Sequence, residues 1–368
     1  MKRLLRGAAH AAAAVALTLA LTVPSKAQTV PQYRVSRTVP LGAPDRWDYV
    51  VFDPASHRVY VAHGDRVTVV DGRDGRILGQ VAGFTGGTHG IAIATASGRG
   101  YTDDGRAGEA ASFDLKTLKP QKRIKAGADA DAVAFDRASG HIFVINGDPG
   151  TVTVIDPKTD SVVATVETGG KLEFAVAGEN GKLYVNGEQK REIVRIDTRA
   201  NLVDARWPIP NCDRPHGLAI DVANHRLFSS CVNNVLVVVN SDSGATVATL
   251  PIGSGTDAAA FDPKRKRVFS SNGRDGNLSV IEEKDPQTFV ALGNIATAPT
   301  ARTMSLDPDT GRIYLVAADL DEAASGTGAS GRAAHASGAG PGGSPNAPRP
   351  RIRIVPGSLR LLFLDPAP

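Results

Sequence analysis

The chain has 368 residues, 42% hydrophobic and 22% charged, a balance that excludes a disordered or fibrous protein. Glycine (39) and proline (23) are plentiful, as many short strands joined by turns require. The formal charge of +4 points to nucleic acid less than it first suggests, because part of it sits in the first residues.

Residues 1–27 read as an export signal. Lys2, Arg3 and Arg6 form a basic start, residues 11–23 (AAAAVALTLALTV) a short apolar run, and Ser25-Lys26-Ala27 a small-x-small cleavage site. Spanning a bilayer takes about 20 apolar residues, so no membrane span is expected after cleavage, and the expected location is periplasmic or secreted. Cleavage removes Lys2, Arg3, Arg6 and Lys26 and lowers Lys+Arg from 42 to 38, against 38 Asp+Glu. A mature chain near neutrality lacks the basic footprint of a nucleic-acid binder, and no nucleic acid is expected.

Residues 28–368 read as a single domain built on a repeat. DYVVFDPASHRVYVAHGDRVTVVDGRDGRILGQV (48–81) matches DAVAFDRASGHIFVINGDPGTVTVIDPKTDSVVATV (131–166), HGLAIDVANHRLFSSCVNNVLVVVNSDSGATVATL (216–250) and DAAAFDPKRKRVFSSNGRDGNLSVIEEKDPQTFVAL (257–292). Weaker copies begin at His89 and Glu173, and a seventh near Arg302. Each copy reads as four strands. The first is small and apolar, and a turn follows in which His57, His141 and His225 recur. The second carries an aromatic (Tyr60, Tyr101, Phe143, Tyr184, Phe228, Phe269, Tyr314). The third is β-branched and ends on Asp71, Asp114, Asp156, Asp197, Asn240 or Glu282, where a side chain can bond the turn backbone. The fourth is VVATV-like. Four strands in a repeat of about 42 residues make one propeller blade, so the expected fold is all-β, a seven-bladed β-propeller. Residues 33–42 look like a fourth strand and 358–366 like a third, so the N-terminal strand should close the last blade and remove two sheet edges. Residues 321–350 are Gly/Ala/Ser/Pro-rich and read as a disordered insertion in that blade, either merely tolerated or used as a tether or partner-binding loop.

GTVTVIDPKTDSVVATV (150–166), with its β-branched strand, D-x-x-T turn and VVATV, resembles the YVTN-type, YncE-like family of seven-bladed propellers. The resemblance covers roughly residues 33–320 and 355–366. It implies an exported propeller, similar in architecture to propeller lactonases and to the haem-binding propeller of cytochrome-type nitrite reductases. Such likeness does not transfer chemistry.

The first strand of each blade lines a propeller's central channel. Aligning the copies puts Asp48, His89, Asp131, Glu173, His216, Asp257 and Arg302 at one mouth, 41 to 45 residues apart. Crowded carboxylates must be protonated, paired with Arg302 or bound to a cation. His with carboxylates is a workable set for a divalent metal, with Asp131, Glu173 and His216 as the candidate ligands. The bland alternative is a hydrated polar rim. A second tier at the ends of the second strands comprises His63, Asp104, Asn146, Cys231 and Asn272, and His63 and His89, on neighbouring blades, could share a ligand. Cys212 and Cys231, the two cysteines, come to the same mouth by antiparallel pairing. A disulfide is expected there, the alternative being a thiol pair holding a soft metal with His216.

No G-x-S-x-G elbow, H-E-x-x-H helix, C-x-x-C-H haem site or P-loop is present. The leading reading is therefore an extracytoplasmic binding or scaffold propeller, a monomer, with an acid/His site for a small ligand or divalent metal at the channel mouth. The alternative is a metal-assisted, lactonase-like hydrolase at the same mouth. A third is recognition of a protein partner through the insertion and the blade faces.

Overall fold

The computed structural model describes residues 30–321 and 353–367. The expected export signal and, apart from Asp321, the expected insertion lie outside them. Among the described residues the chain forms 28 strands in seven antiparallel sheets of four. Blade one comprises Val50–Asp53, Arg58–His63, Arg66–Asp71 and Ile77–Ala82, and five more blades repeat that order.

Position within a blade sets each strand's pattern. The second and third strands are packed on both faces by neighbouring blades and bury nearly every residue, as in Arg226–Cys231 and Val235–Asn240. The third strand, VLVVVN, accordingly reads as a continuous apolar run rather than as an alternation, and the second, RLFSSC, buries two serines as well. The fourth strands form the outer rim and are mostly exposed, as in Ser161–Glu167. The core is accordingly divided among blade interfaces. In one cluster Tyr314 and Phe363 of blade seven pack on Phe52, Val59 and Val70 of blade one.

The ring closes as expected. Tyr33–Pro40 pairs antiparallel with Arg360–Pro366, which pairs with Ile313–Ala317. The last blade is therefore made from both ends of the described chain, with Tyr33–Pro40 as its outermost strand covering the edge of Arg360–Pro366.

Side chains tie blade to blade. Tyr101, in the second strand of blade two, donates its hydroxyl to Asp160 of blade three. Tyr184 donates to the Ser241 carbonyl (3.2 Å) and Tyr314 to the Gly72 carbonyl (2.9 Å), again on the following blade. The third-strand acids cap their turns. Asp71, Asp114, Asp156 and Asp197 accept the backbone N–H groups of Arg73, Lys116, Lys158 and Arg199, each two residues on. In the first turns, His57 (φ 54°) and His225 (φ 56°) take the left-handed position that Gly140 (φ 74°) fills in blade three. His141 follows that glycine.

Candidate functional site at the channel mouth

The first strand of each blade carries mostly small apolar residues, yet one polar side chain per blade reaches the channel. A β-bulge explains this in four blades. In blade three Ala130 pairs with Asn146 and Ala132 with Ile145, so Asp131 is the extra residue. Asp257 is likewise extra between Thr256 and Ala258. The register also breaks across Glu173-Phe174 and His216-Gly217. A bulged residue is released from the pleat and can be aimed differently from its neighbours.

Both ring histidines precede a glycine. A Cβ on Gly90 would lie 2.3 Å from the Val133 nitrogen, and one on Gly217 2.5 Å from the Ala259 nitrogen. Only glycine lets the next blade's first strand approach so closely, and that approach brings each histidine to the acid of the following blade. Two triplets result, Asp48–His89–Asp131 and Glu173–His216–Asp257. In each, one ligand-type atom per residue lies within 4.8 Å of the others. The expected trio of Asp131, Glu173 and His216 is thus divided, because adjacency follows blade order and Asp131 stands with His89.

Arg302 closes the circle. It donates to the Asp257 carboxylate and to the Trp47 carbonyl (3.0 Å), and its guanidinium is 4.0 Å from Asp48. Below the ring, Tyr49 of blade one and Phe174 of blade four meet across the channel with centroids 4.7 Å apart. Over this aromatic floor, Asp48, Asp131, Glu173, Asp257 and Arg302 line a cavity of about 40 Å³. A single water needs roughly 10–15 Å³, so the cavity has room for about three water-sized groups.

The histidines are supported differently. His89 Nδ1 is 2.9 Å from Asp103 Oδ1, and Asp103, fully buried, also accepts the backbone N–H groups of His89 and Gly90. The other ring nitrogen faces the Arg46 guanidinium at 3.3 Å. Burial opposes a charge on His89, but the Asp103 hydrogen bond and the charges of Asp103, Asp48 and Asp131 outweigh it and raise its pKa to about 9. His216 has Nδ1 3.2 Å from Asp257, and Glu173 is 4.0 Å away. Its Nε2 is buried and makes no hydrogen bond, with Glu188 at 3.8 Å.

The carboxylates feel burial first. It raises Asp131 to about 8, helped by repulsion from Asp48, and holds Glu173 well above the ordinary range, helped by Asp131 and Asp257. Asp48 is raised by burial despite Arg302. Asp257 is buried too, but Arg302 and His216 outweigh that and lower it. Neither Asp131 nor Glu173 has a lysine or arginine ion pair among the described residues.

The second tier has another task. His63 is fully buried, its Nδ1 against Thr68 (2.9 Å) and its Nε2 against the carbonyls of Pro44 (2.8 Å) and Gly42 (3.1 Å). Asp104 accepts from the Gly86 N–H (2.6 Å) and from Arg123 (2.8 Å). These bonds correct the expectation for both residues, which tie the second strand to the loop entering its own blade and are not presented to a ligand. Asn146 makes the same tie to the Gly127 N–H (2.9 Å), and Asn272, with its amide oriented to satisfy both ends, to the Gly253 carbonyl (3.3 Å). In blade five the tie is covalent. Cys212 and Cys231 form a disulfide with Cα atoms 5.2 Å apart, which removes the thiol–metal alternative. Asp103, Glu188 and Arg46 escaped the sequence reading. The paired His-Gly dipeptides and the Asp-Asp at 103–104 were the available signals.

No family model matches the chain. YncE of Salmonella typhimurium (strain LT2), itself described as uncharacterized, is 26% identical over 188 residues, which are 49% of this chain and 52% of that protein. The match thus spans about half the length of that relative. Among solved structures, Kuenenia stuttgartiensis hydrazine synthase superposes with a TM-score of 0.63 at 14% identity, over 73% of this chain and 91% of that one. The WD40 repeats of RRP9 give 0.67 at 11% identity, over 79% and 91%. A chain of the mitotic checkpoint complex gives 0.65 at 15% identity, over 82% and 95%. These identities speak for the fold alone. No helix among the described residues is long and apolar enough to cross a membrane. With its repeat and its closure the chain is a seven-bladed β-propeller, and over about half its length it is similar to YncE.

Proposed function

We propose that the protein is an extracytoplasmic binding propeller whose channel mouth holds a divalent cation on the Glu173–His216–Asp257 side of the ring. One observation carries the reading. His216 Nδ1 lies 3.2 Å from Asp257 and 4.0 Å from a Glu173 carboxylate that has no lysine or arginine ion pair, and the buried Nε2 of the same ring makes no hydrogen bond. Imidazole with carboxylates suits zinc or manganese. A cation would also offset the burial, and the repulsion from Asp131 and Asp257, that keep Glu173 protonated, so binding should release a proton and tighten as pH rises. The Cys212–Cys231 disulfide suits an oxidising compartment.

The same nitrogen favours a second reading, a metal-assisted lactonase-like hydrolase. There a cation held by the Glu173 and Asp257 carboxylates alone would polarise a carbonyl, and His216, not a ligand in this reading, would move the proton.

The test is elemental mass spectrometry on the full chain, purified without chelators, followed by calorimetric titration with Zn²⁺ and Mn²⁺. One ion per chain is expected, held more tightly at alkaline than at acidic pH and lost in His216→Ala. Folded protein that takes up neither ion overturns the cation reading. Metal-loaded protein that turns over no lactone or ester in a broad panel overturns the hydrolase.

A further inference from the structure

A second cavity of about 310 Å³ opens beside the ring, where blades six, seven and one meet. Its walls are Trp47, Leu320, Thr300 and the backbone of Gly255 and Gly273, and two arginines, Arg274 and Arg302, border it. Small-molecule sites have this size and character, mostly apolar with a few convergent polar groups. The contrast with the polar space of about 40 Å³ over the aromatic floor is plain.

The two arginines differ. Arg302 is engaged by Asp257 and the Trp47 carbonyl, and lies over the Trp47 ring with its guanidinium carbon 5.7 Å from the centroid. Arg274 is exposed, and its side chain has no hydrogen bond or ion pair among the described residues. Glycine backbone seats both. A Cβ on Gly255 (φ +78°) would lie 2.5 Å from the Arg274 nitrogen, and one on Gly273 would lie 2.8 Å from the Arg302 Cβ. Trp47 is 8% exposed, and its indole N–H has no hydrogen-bond partner. An apolar wall, a stacked guanidinium and an unpaired guanidinium at one edge together define a complementary ligand.

We propose that this cavity binds a small organic anion, its flat apolar body against Trp47 and Leu320 and its carboxylate on Arg274. Arg302, bordering both sites, separates that carboxylate from the acids of the ring. The proposal does not depend on a cation at the mouth.

The probe is 2-naphthoate, titrated calorimetrically into the full chain, with the uncharged 2-naphthamide as its control. Naphthoate is expected to bind at one site per chain and the amide about tenfold more weakly, the usual worth of one charge-assisted contact. Arg274→Ala should weaken naphthoate by about the same tenfold and leave the amide unchanged. Its melting temperature should match that of the parent, because the Arg274 side chain holds nothing else. No saturable naphthoate binding into the millimolar range overturns the proposal. So does naphthoate binding equally well to the parent and to Arg274→Ala.

Discussion

Asp48–His89–Asp131 and Glu173–His216–Asp257 repeat one arrangement, an acid, a His-Gly and an acid on three consecutive blades. They differ in what stands behind them. His89 is held between a fully buried Asp103 and Arg46, whereas His216 keeps one buried ring nitrogen without a hydrogen bond. The loop entering the first histidine's blade is tied by a hydrogen bond from Gly86 to Asp104, and the loop entering the second's by a disulfide. The same ligand types in the same register therefore make one closed and one open arrangement. Supporting residues, not the ring itself, set the difference, as outer-shell partners do around metal-binding histidines.

The sharpest way to break this comparison is to remove the supports. Asp103→Ala strands two backbone N–H groups and a ring N–H in a fully buried place, and should cost about 4 kcal/mol in urea unfolding. Glu188→Ala, on the other side, should cost about 1 kcal/mol. Equal losses would mean that the two halves are supported alike. Replacing Cys212 and Cys231 together by serine should cost about 3 kcal/mol on a chain-entropy reckoning. Its hydrogen-exchange signature should be confined to residues 211–216, leaving the His89 side protected. Exchange rising equally around both histidines would show that the disulfide steadies the whole mouth.

A third effect depends on pH. In the fold Asp131 holds its proton to about pH 8, while an unfolded aspartate loses it near about pH 4. Between these values the folded chain binds the extra proton, so stability is lost as pH rises through that window. Asp131→Asn, neutral throughout, should gain about 2 kcal/mol at alkaline pH and almost nothing under acid conditions. Melting profiles that run parallel across pH would refute the assignment. The smallest effect belongs to Arg46→Ala. It should change stability by less than about 0.5 kcal/mol, yet it uncovers the His89 Nε2. Because His89 keeps its proton to about pH 9, a second cation site should appear in the calorimetric titration only above that pH, and none appearing there would show that Asp103 closes the first triplet without Arg46.

Much of the fold was legible because a propeller repeats its instructions. The aromatic of the second strand, the acid ending the third and the VVATV of the fourth recur, and each recurrence marks the same packing environment. The closing strand could be read because YRVSRTVPLG has the pattern of a fourth strand with no blade of its own. The ring could be placed for the same reason, since the repeat's register brings its first-strand residues to one mouth. That register carries no information about side-chain direction within a tier. His63 and Asp104 stand at the strand ends where the alignment put them, but they turn into hydrogen bonds with the incoming loops.

What the sequence determined by itself is the blade, its number of copies and the chemical types at the mouth, all properties of a local pattern repeated at a fixed interval. Only the tertiary structure decided which of those types meet. The bulges that release Asp131 and Asp257, the close approach across Gly90 and Gly217, and the meeting of Tyr49 with Phe174 all arise between strands distant in the chain. Such contacts depend on how the blades pack, and no single blade's sequence contains them.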